Sequence, residues 1–332
     1  MADQKKLDRW AEKLLDTGKR NNLISFKDTK SSSAEVVFPD CETVYSKCLV
    51  GHQFEIYDPK IPDDDIEEKE DTPEEKTETE PKKLTKDEYI EKYSPRINSN
   101  RNILVYSQAA NPITAIKNVA KKAKQMQDET GINVAYLAFG FVKWKEREES
   151  DSFYRAPLLL VHINIITGSV LDPVKIEISD DDVVVNPTFD YLLQADYKLS
   201  LPEYEDGDSL HAYYEKVSSI VSKMGWEVID ECKLGAFSFL KINMYEDLKK
   251  NSERILENDN VMALLGEPQQ AETDDFFGEE AGLENPLIEL HTVVDADSSQ
   301  IEAVEMAKSG KSFVLQGPPG TGKSQTITRL LA

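Results

Sequence analysis

GINVAYLAFGFVKWKEREESDSFYRAPLLLVHINI, residues 131–165, decides the fold, because from Ile132 onward the apolar residues take the period of strands. NVAYLAFGFVKW and FYRAPLLLVHINI are two long strands around the charged turn KEREESDS, and SVLDPVKIEI and DDVVVNP follow them. The natural arrangement is a meander of three or four antiparallel strands. APLLLVHINI is apolar on both faces in its first half, which marks it as the central strand. Neither apolar run here approaches the roughly 20 residues that a membrane-spanning helix needs, so no membrane partner is expected.

Working outward, Asn111 and Pro112 form a cap and first-turn pair. Behind them Ile113, Ile116, Val119, Ala120, Ala123 and Met126 repeat at helical spacing up to Thr130 and Gly131. The other face carries Lys117, Lys121, Lys122 and Lys124, a candidate stripe for tracking nucleic-acid phosphates or the wet side of an amphipathic helix. On the far side of the meander, Leu210, Tyr213, Tyr214, Val217, Ile220, Val221 and Met224 mark a helix ending at Gly225. WEVIDE and FSFLKINMY then read as strands. Near the amino terminus Leu7, Trp10, Leu14 and Leu15 give residues 4–17 one apolar helical face. Leu23, Ile24 and Phe26 suggest a short extended piece after it, with Lys19, Arg20 and Lys27 in reach of phosphate. Residues 1–265 therefore read as an α+β accessory domain, antiparallel strands with flanking helices.

The 332 residues suit about two domains, and the formal charge of −23 is concentrated in two places. Between Asp63 and Glu80 eleven acids stand against Lys69 and Lys76 with almost nothing apolar. The expectation is a disordered acidic insert over about 61–88. Residues 266–294 form an acidic linker rich in Pro and Gly. The three cysteines, Cys41, Cys48 and Cys232, lack metal-site spacing. With no apolar leader in the first twenty residues, they fit reduced thiols in a cytoplasmic protein.

The end of the chain carries the chemistry. Phe313-Val314-Leu315 reads as a short buried strand, Gly317 to Ser324 matches GxxxxGK[ST], and Thr326, Ile327, Leu330 and Leu331 start a helix. Gly317, Gly320 and Gly322 let backbone N–H groups turn inward around a phosphate at a helix amino terminus. Lys323 reaches the β- and γ-phosphates of ATP, and the Ser324 hydroxyl ligates Mg²⁺. Upstream, Gln300 sits at the start of a helix in which Ile301, Val304 and Met306 or Ala307 pack inward. Its amide can meet both the donor and the acceptor edge of adenine. Residues 295–332 thus read as the first strand-loop-helix of an α/β RecA-like P-loop NTPase lobe.

DSSQIEAV followed by SFVLQGPPGTGKSQTI resembles the Q-motif and motif I of superfamily 1 helicases of the Upf-like branch. RWAEKLLDTGKRNNLISF, GINVAYLAFGFVKW, RAPLLLVHINI, LDPVKIEISDDDVVVNP and GAFSFLKINMYEDL resemble the uncharacterised domain that precedes this motor in very large bacterial helicase-like proteins. The resemblance implies ATP and Mg²⁺ as cofactors and DNA or RNA as track. It further implies that Gln300 contacts adenine and that Gly320, Thr321, Gly322, Lys323, Ser324 and Gln325 hold the triphosphate and metal; some proteins of this kind are associated with defence against foreign DNA, which makes that a candidate role for the parent. The chain ends eight residues after Ser324, so the later acidic motif, arginine finger and second lobe are expected elsewhere. The expectation is a motor fragment that turns over no ATP alone. An AAA-type remodelling ATPase shares GPPGTGK, though Gln300 and the SQTI continuation argue against it. A non-enzymatic module binding a protein partner or nucleic acid is the third reading.

Weaker constellations favour structure over chemistry. Glu231-Cys232-Lys233 has the E-x-K spacing of restriction-type nucleases, with Asp172 or Asp190 as partners, yet such spacings abound in a chain that is 30% charged. His162, His211 and His291 have no nucleophile signature around them. Trp10, Trp144 and Trp226 read as core, with Trp144, beside Lys143, Lys145 and Arg147, the one candidate for base stacking.

Overall fold

The computed structural model describes residues 2–59, 84–98, 100–109, 111–147, 152–169, 172–205, 207–266, 298–310, 313, 315–316, 322–324 and 326–327. The chain divides into two compact units, Trp10–Lys249 and Met1–Arg9 with Lys250–Ala332.

In the larger unit, β4 (Ala135–Trp144) and β5 (Tyr154–Ile166) pair antiparallel from Tyr136 opposite His162 to Trp144 opposite Tyr154. Beyond His162, β5 continues against β6 (Lys175–Ile178), and β7 (Val184–Val185) lies on Leu159 and Leu160. These are the neighbours the meander requires, but the sheet goes further. β8 (Glu227–Ala236) takes the other edge of β4, β1 (Ser33–Phe38) pairs with β8, and β3 (Asn102–Tyr106) pairs with β1. The three-residue β2 (Phe54–Ile56) runs parallel to β3 and antiparallel to β6. Seven strands thereby close into a ring, β4-β8-β1-β3-β2-β6-β5, with β7 on its flank. Closure leaves β5 with neighbours on both edges and removes the open edges that a meander alone would expose.

Gly140 makes the turn in β4. The register with β8 shifts between Phe139 and Phe141, so that Asp230 and Glu231 together answer Gly140, whose φ of 67° is one L side chains rarely adopt. Phe139 and Val142, three residues apart, thus both enter the main core, whereas Phe141 enters a second apolar cluster with Phe26, Leu160 and Phe237.

Helices cover the main core. In α4 (Pro112–Thr130) the Asn111 side chain accepts the Ile113 N–H at 3.0 Å, and Gly131 ends the helix at φ 75°. Ile113, Ile116, Val119 and Ala123 are buried as their spacing requires. Beside it pack α2 (Cys41–Leu49), capped by Asp40, and α6 (Leu210–Val221), capped by Ser209. Asn186, fully buried, accepts the Phe189 N–H of α5 (Pro187–Leu192) and donates to the Leu23 and Pro157 carbonyls.

Four sequence expectations change. Leu23 to Phe26 is a turn rather than a strand: the N–H groups of Ile24 and Ser25 both donate to Asn21 O, which drives Leu23 and Ile24 into separate apolar clusters. FSFLKINMY splits: Phe237 and Phe239 plug the second cluster in a loop, and α7 (Leu240–Lys250) takes the remainder. Trp10 is 42% exposed, because in α1 (Ala2–Leu14) the buried face runs through Leu7 and Ala11. The end of the acidic insert is ordered: Thr85 and Glu88 form a reciprocal capping box on α3 (Lys86–Tyr93). The rest of that insert, and the linker beyond Gly266, lie outside the described residues.

The compact larger unit stops at Lys249 rather than at residue 265. The smaller unit holds α8 (Ser252–Leu256), α9 (Asp259–Leu264) and α10 (Ser298–Lys308), and Lys6 Nζ donates to Leu265 O at 3.0 Å.

Candidate functional site

Gln300 stands in the first turn of α10, partly buried, with Ala303 and Val304 buried one turn on. Phe313 and Leu315 are 36% and 40% exposed and belong to no strand among the described residues. Val314, the middle residue of the expected buried strand, lies outside the described residues, and no described residue pairs with Phe313 or Leu315. Gly322 has φ 75°. Lys323 and Ser324 follow it in helical conformation, Lys323 partly buried and Ser324 exposed. Thr326, 1% exposed, donates both its N–H and its hydroxyl to Gly322 O, at 3.0 and 3.2 Å, and so fixes the first turn of this helix. Gly317, Gly320, Thr321 and Gln325 lie outside the described residues.

Lys117, Lys121, Lys122 and Lys124 are all exposed on α4. At about 100° per residue, Lys117, Lys121 and Lys124 fall within an arc of roughly 60°. Lys122 is turned about 100° from Lys121, onto the flank it shares with Met126. The four lysines are therefore a row of three and a separate fourth, not one stripe.

The E-x-K pair is part of an ionic cluster. Lys233, 2% exposed, lies 3.0 Å from Glu35, 3.2 Å from Asp28 and 3.4 Å from Glu231, and Arg155 bridges Asp28 at 2.6 Å and Glu231 at 3.0 Å. Asp172 and Asp190 take no part: Asp172 accepts the Ser169 N–H and Asp190 the Leu201 N–H. With Lys86, which pairs with Glu35, three cations face three carboxylates here, and no group of three His, Cys, Asp or Glu among the described residues is arranged to hold a metal. The E-x-K spacing here serves an ion-pair network across β1, β5 and β8.

Trp144 is core, 2% exposed, and its indole N–H donates to Ile24 O at 2.9 Å, which removes it from base stacking. His162 pairs with Asp181 at 2.5 Å and His211 with Glu215, neither beside a nucleophile, and His291 lies outside the described residues. Burial raises the thiols of Cys41, Cys48 and Cys232, Cys48 to about 12, so none is an activated nucleophile. No described helix is long and apolar enough to cross a membrane. Sequence reading missed the cleft that Lys122 lines together with Arg20, Thr188 and Lys241, residues that come from segments far apart in the chain.

Over 57 residues the chain is 51% identical to Probable helicase MAGATAMA 3 of Arabidopsis thaliana, a stretch that makes up 17% of this chain and 7% of that protein. No solved structure matches the chain. A protein family matches residues 13–193, a stretch that carries β1 to β7; β8 lies beyond it, although the ring closes only with β8 between β4 and β1. With more than half of its length matched, the chain belongs to the family described as protein of unknown function (DUF4011).

Proposed function

We propose that this chain is the amino-terminal portion of an ATP-dependent superfamily 1 helicase or translocase, with the unit Trp10–Lys249 as accessory domain to the motor. The observation that carries the reading is the sequence GPPGTGKS at 317–324, between an apolar run and a helix start, with Gln300 on the helix before it. The similarity of a stretch of the chain to a helicase supports it. The left-handed backbone of Gly322 and the position of Ser324, an exposed residue on the following helical turn, are compatible with a phosphate-binding loop.

In this reading the Lys323 ammonium neutralises the β- and γ-phosphates, the Ser324 hydroxyl ligates Mg²⁺, and the Gln300 amide selects adenine. Bound MgATP supplies the energy of translocation along DNA or RNA. The test is Lys323→Ala in the intact polypeptide that bears this sequence. ATPase activity is expected to fall about 100-fold or more, since a preorganised charge on the transferring group is removed. Gln300→Ala is expected to narrow the preference for ATP over GTP. Unchanged ATPase in the Lys323 variant would overturn the reading.

A further inference from the structure

A cleft of about 340 Å³ opens on the larger unit where the segment after α1, one flank of α4, the start of α5 and the β8–α7 connection meet. Its charge runs against that of the chain. Arg20, Lys122 and Lys241 line it against one carboxylate, Asp16, which pairs with Lys241 at 2.9 Å, in a protein of formal charge −23. Arg20 and Lys122 have no ion-pair partner among the described residues.

A helix start lies on the same border. Leu240, Lys241 and Ile242, the first turn of α7, border it, and first-turn amides have no carbonyl partner within their own helix. The positive end of the helix dipole adds to the local cations. A helix end would not by itself specify a ligand; Thr188 supplies the independent sign. It lines the cleft, is 2% exposed, and its hydroxyl makes no hydrogen bond among the described residues. An acceptor entering the cleft can therefore take this hydroxyl without breaking a hydrogen bond inside the protein. The walls are already set: Asn21 Nδ2 donates to Asp16 O at 2.7 Å and Asn22 Nδ2 to Ala236 O at 3.1 Å.

We propose that this cleft binds a phosphate group, carried either by a nucleic-acid strand or by a free nucleotide. Arg20 and Lys122 supply charge, and the α7 amides and the Thr188 hydroxyl supply oriented donors. The site is distinct from the loop at 317–324 and does not rest on the ATP reading. Lys122 acts here rather than in the row on the outer face of α4.

The test uses the full chain in a Lys323→Ala background, so that nucleotide held by the 317–324 loop does not contribute and failure of either idea can be told from failure of the other. Inorganic phosphate is titrated while the amide signals of Leu240 to Ile242 are followed, and a short labelled DNA strand is then added as competitor. Phosphate is expected to shift these amides, and R20Q/K122Q to abolish the shift. Thr188→Val should weaken the response several-fold at unchanged melting temperature, and K117Q/K121Q should leave it intact. Displacement of phosphate by the strand assigns the ligand to a nucleic-acid backbone; no displacement assigns it to a free phosphate compound, which AMP in place of the strand would then compete for. Absence of any shift, or a shift that survives in R20Q/K122Q, overturns the site.

Discussion

Lys233 Nζ stands 3.0 Å from Glu35 Oε2, and the two residues face each other in register across β8 and β1. A charge 2% exposed on a strand is tolerable only when paired. Glu35, Asp28 and Glu231 do the pairing, with Arg155 tying the last two together. A one-residue slip of β8 against β1 would turn Lys233 to the opposite face, into the apolar core beside Leu234 and Cys232. The cluster therefore specifies the register of the strand that closes the ring.

Lys233→Met tests this. Burial would raise the Asp28 carboxyl, but Lys233 and Arg155 hold it below its ordinary 3.8. A carboxylate depressed on folding adds stability above its unfolded value, and that contribution is lost as pH falls through the lower folded value. Burial likewise opposes the charge on Lys233, yet the three carboxylates raise it above 10.5, so its contribution disappears only as pH rises past that folded value. The variant should be about 3 kcal/mol less stable at pH 7, from carboxylates left without their cation. The deficit should shrink below pH 3.8, where Asp28 protonates in the unfolded chain. Urea unfolding at both pH values is the measurement; an equal deficit at both would show that packing, not charge, is what Lys233 provides.

Gly140 is constrained twice. Its φ is 67°, and a Cβ built on it would run into the Tyr214 ring. Gly140→Ala is therefore expected to cost about 2–4 kcal/mol, from left-handed backbone strain plus displacement of a buried ring. Tyr214→Phe should be neutral or slightly stabilising, because its buried hydroxyl has no hydrogen-bond partner among the described residues. Denaturant midpoints of the two variants check both signs; a Gly140→Ala protein as stable as the parent would mean that β4 can straighten.

The long hairpin was legible because β4 and β5, of 10 and 13 residues, each carry a long run that is almost wholly apolar, Ala135 to Val142 and Ala156 to Val161. Ring closure was not: β2 has three residues and β1 six, too few for a period to register. Phe237 and Phe239 mimic a strand by their spacing, whereas the next apolar residue to be buried, Ile242, follows a helix. Thr85 and Glu88 have the spacing of a capping box, a local signal overridden by the acidic composition beside it. In the ionic cluster Glu231 and Lys233 are near neighbours in sequence, but Asp28, Glu35 and Arg155 come from distant segments that only the fold assembles. The cleft around Thr188 is non-local in the same way, since its cations sit on three separate elements.

The row on the outer face of α4 supports a further prediction, separate from the cleft. Lys117, Lys121 and Lys124 are exposed within one arc, so replacing all three with Gln should change stability by no more than about 0.5 kcal/mol. If this face lies along a phosphate backbone, the triple variant should bind all nucleic-acid sequences more weakly and to a similar extent. The slope of log affinity against log salt should flatten by about one unit for each phosphate that is no longer neutralised. An acidic chain can bind in this way because charges beyond about 8 Å are screened at physiological salt, so the local field governs the encounter. The measurement is binding to single- and double-stranded DNA and RNA from low to physiological salt, with Lys122→Gln alongside. Equal affinity and slope for the triple variant and the parent would return this face to plain solvation, whatever Lys122→Gln does at the cleft.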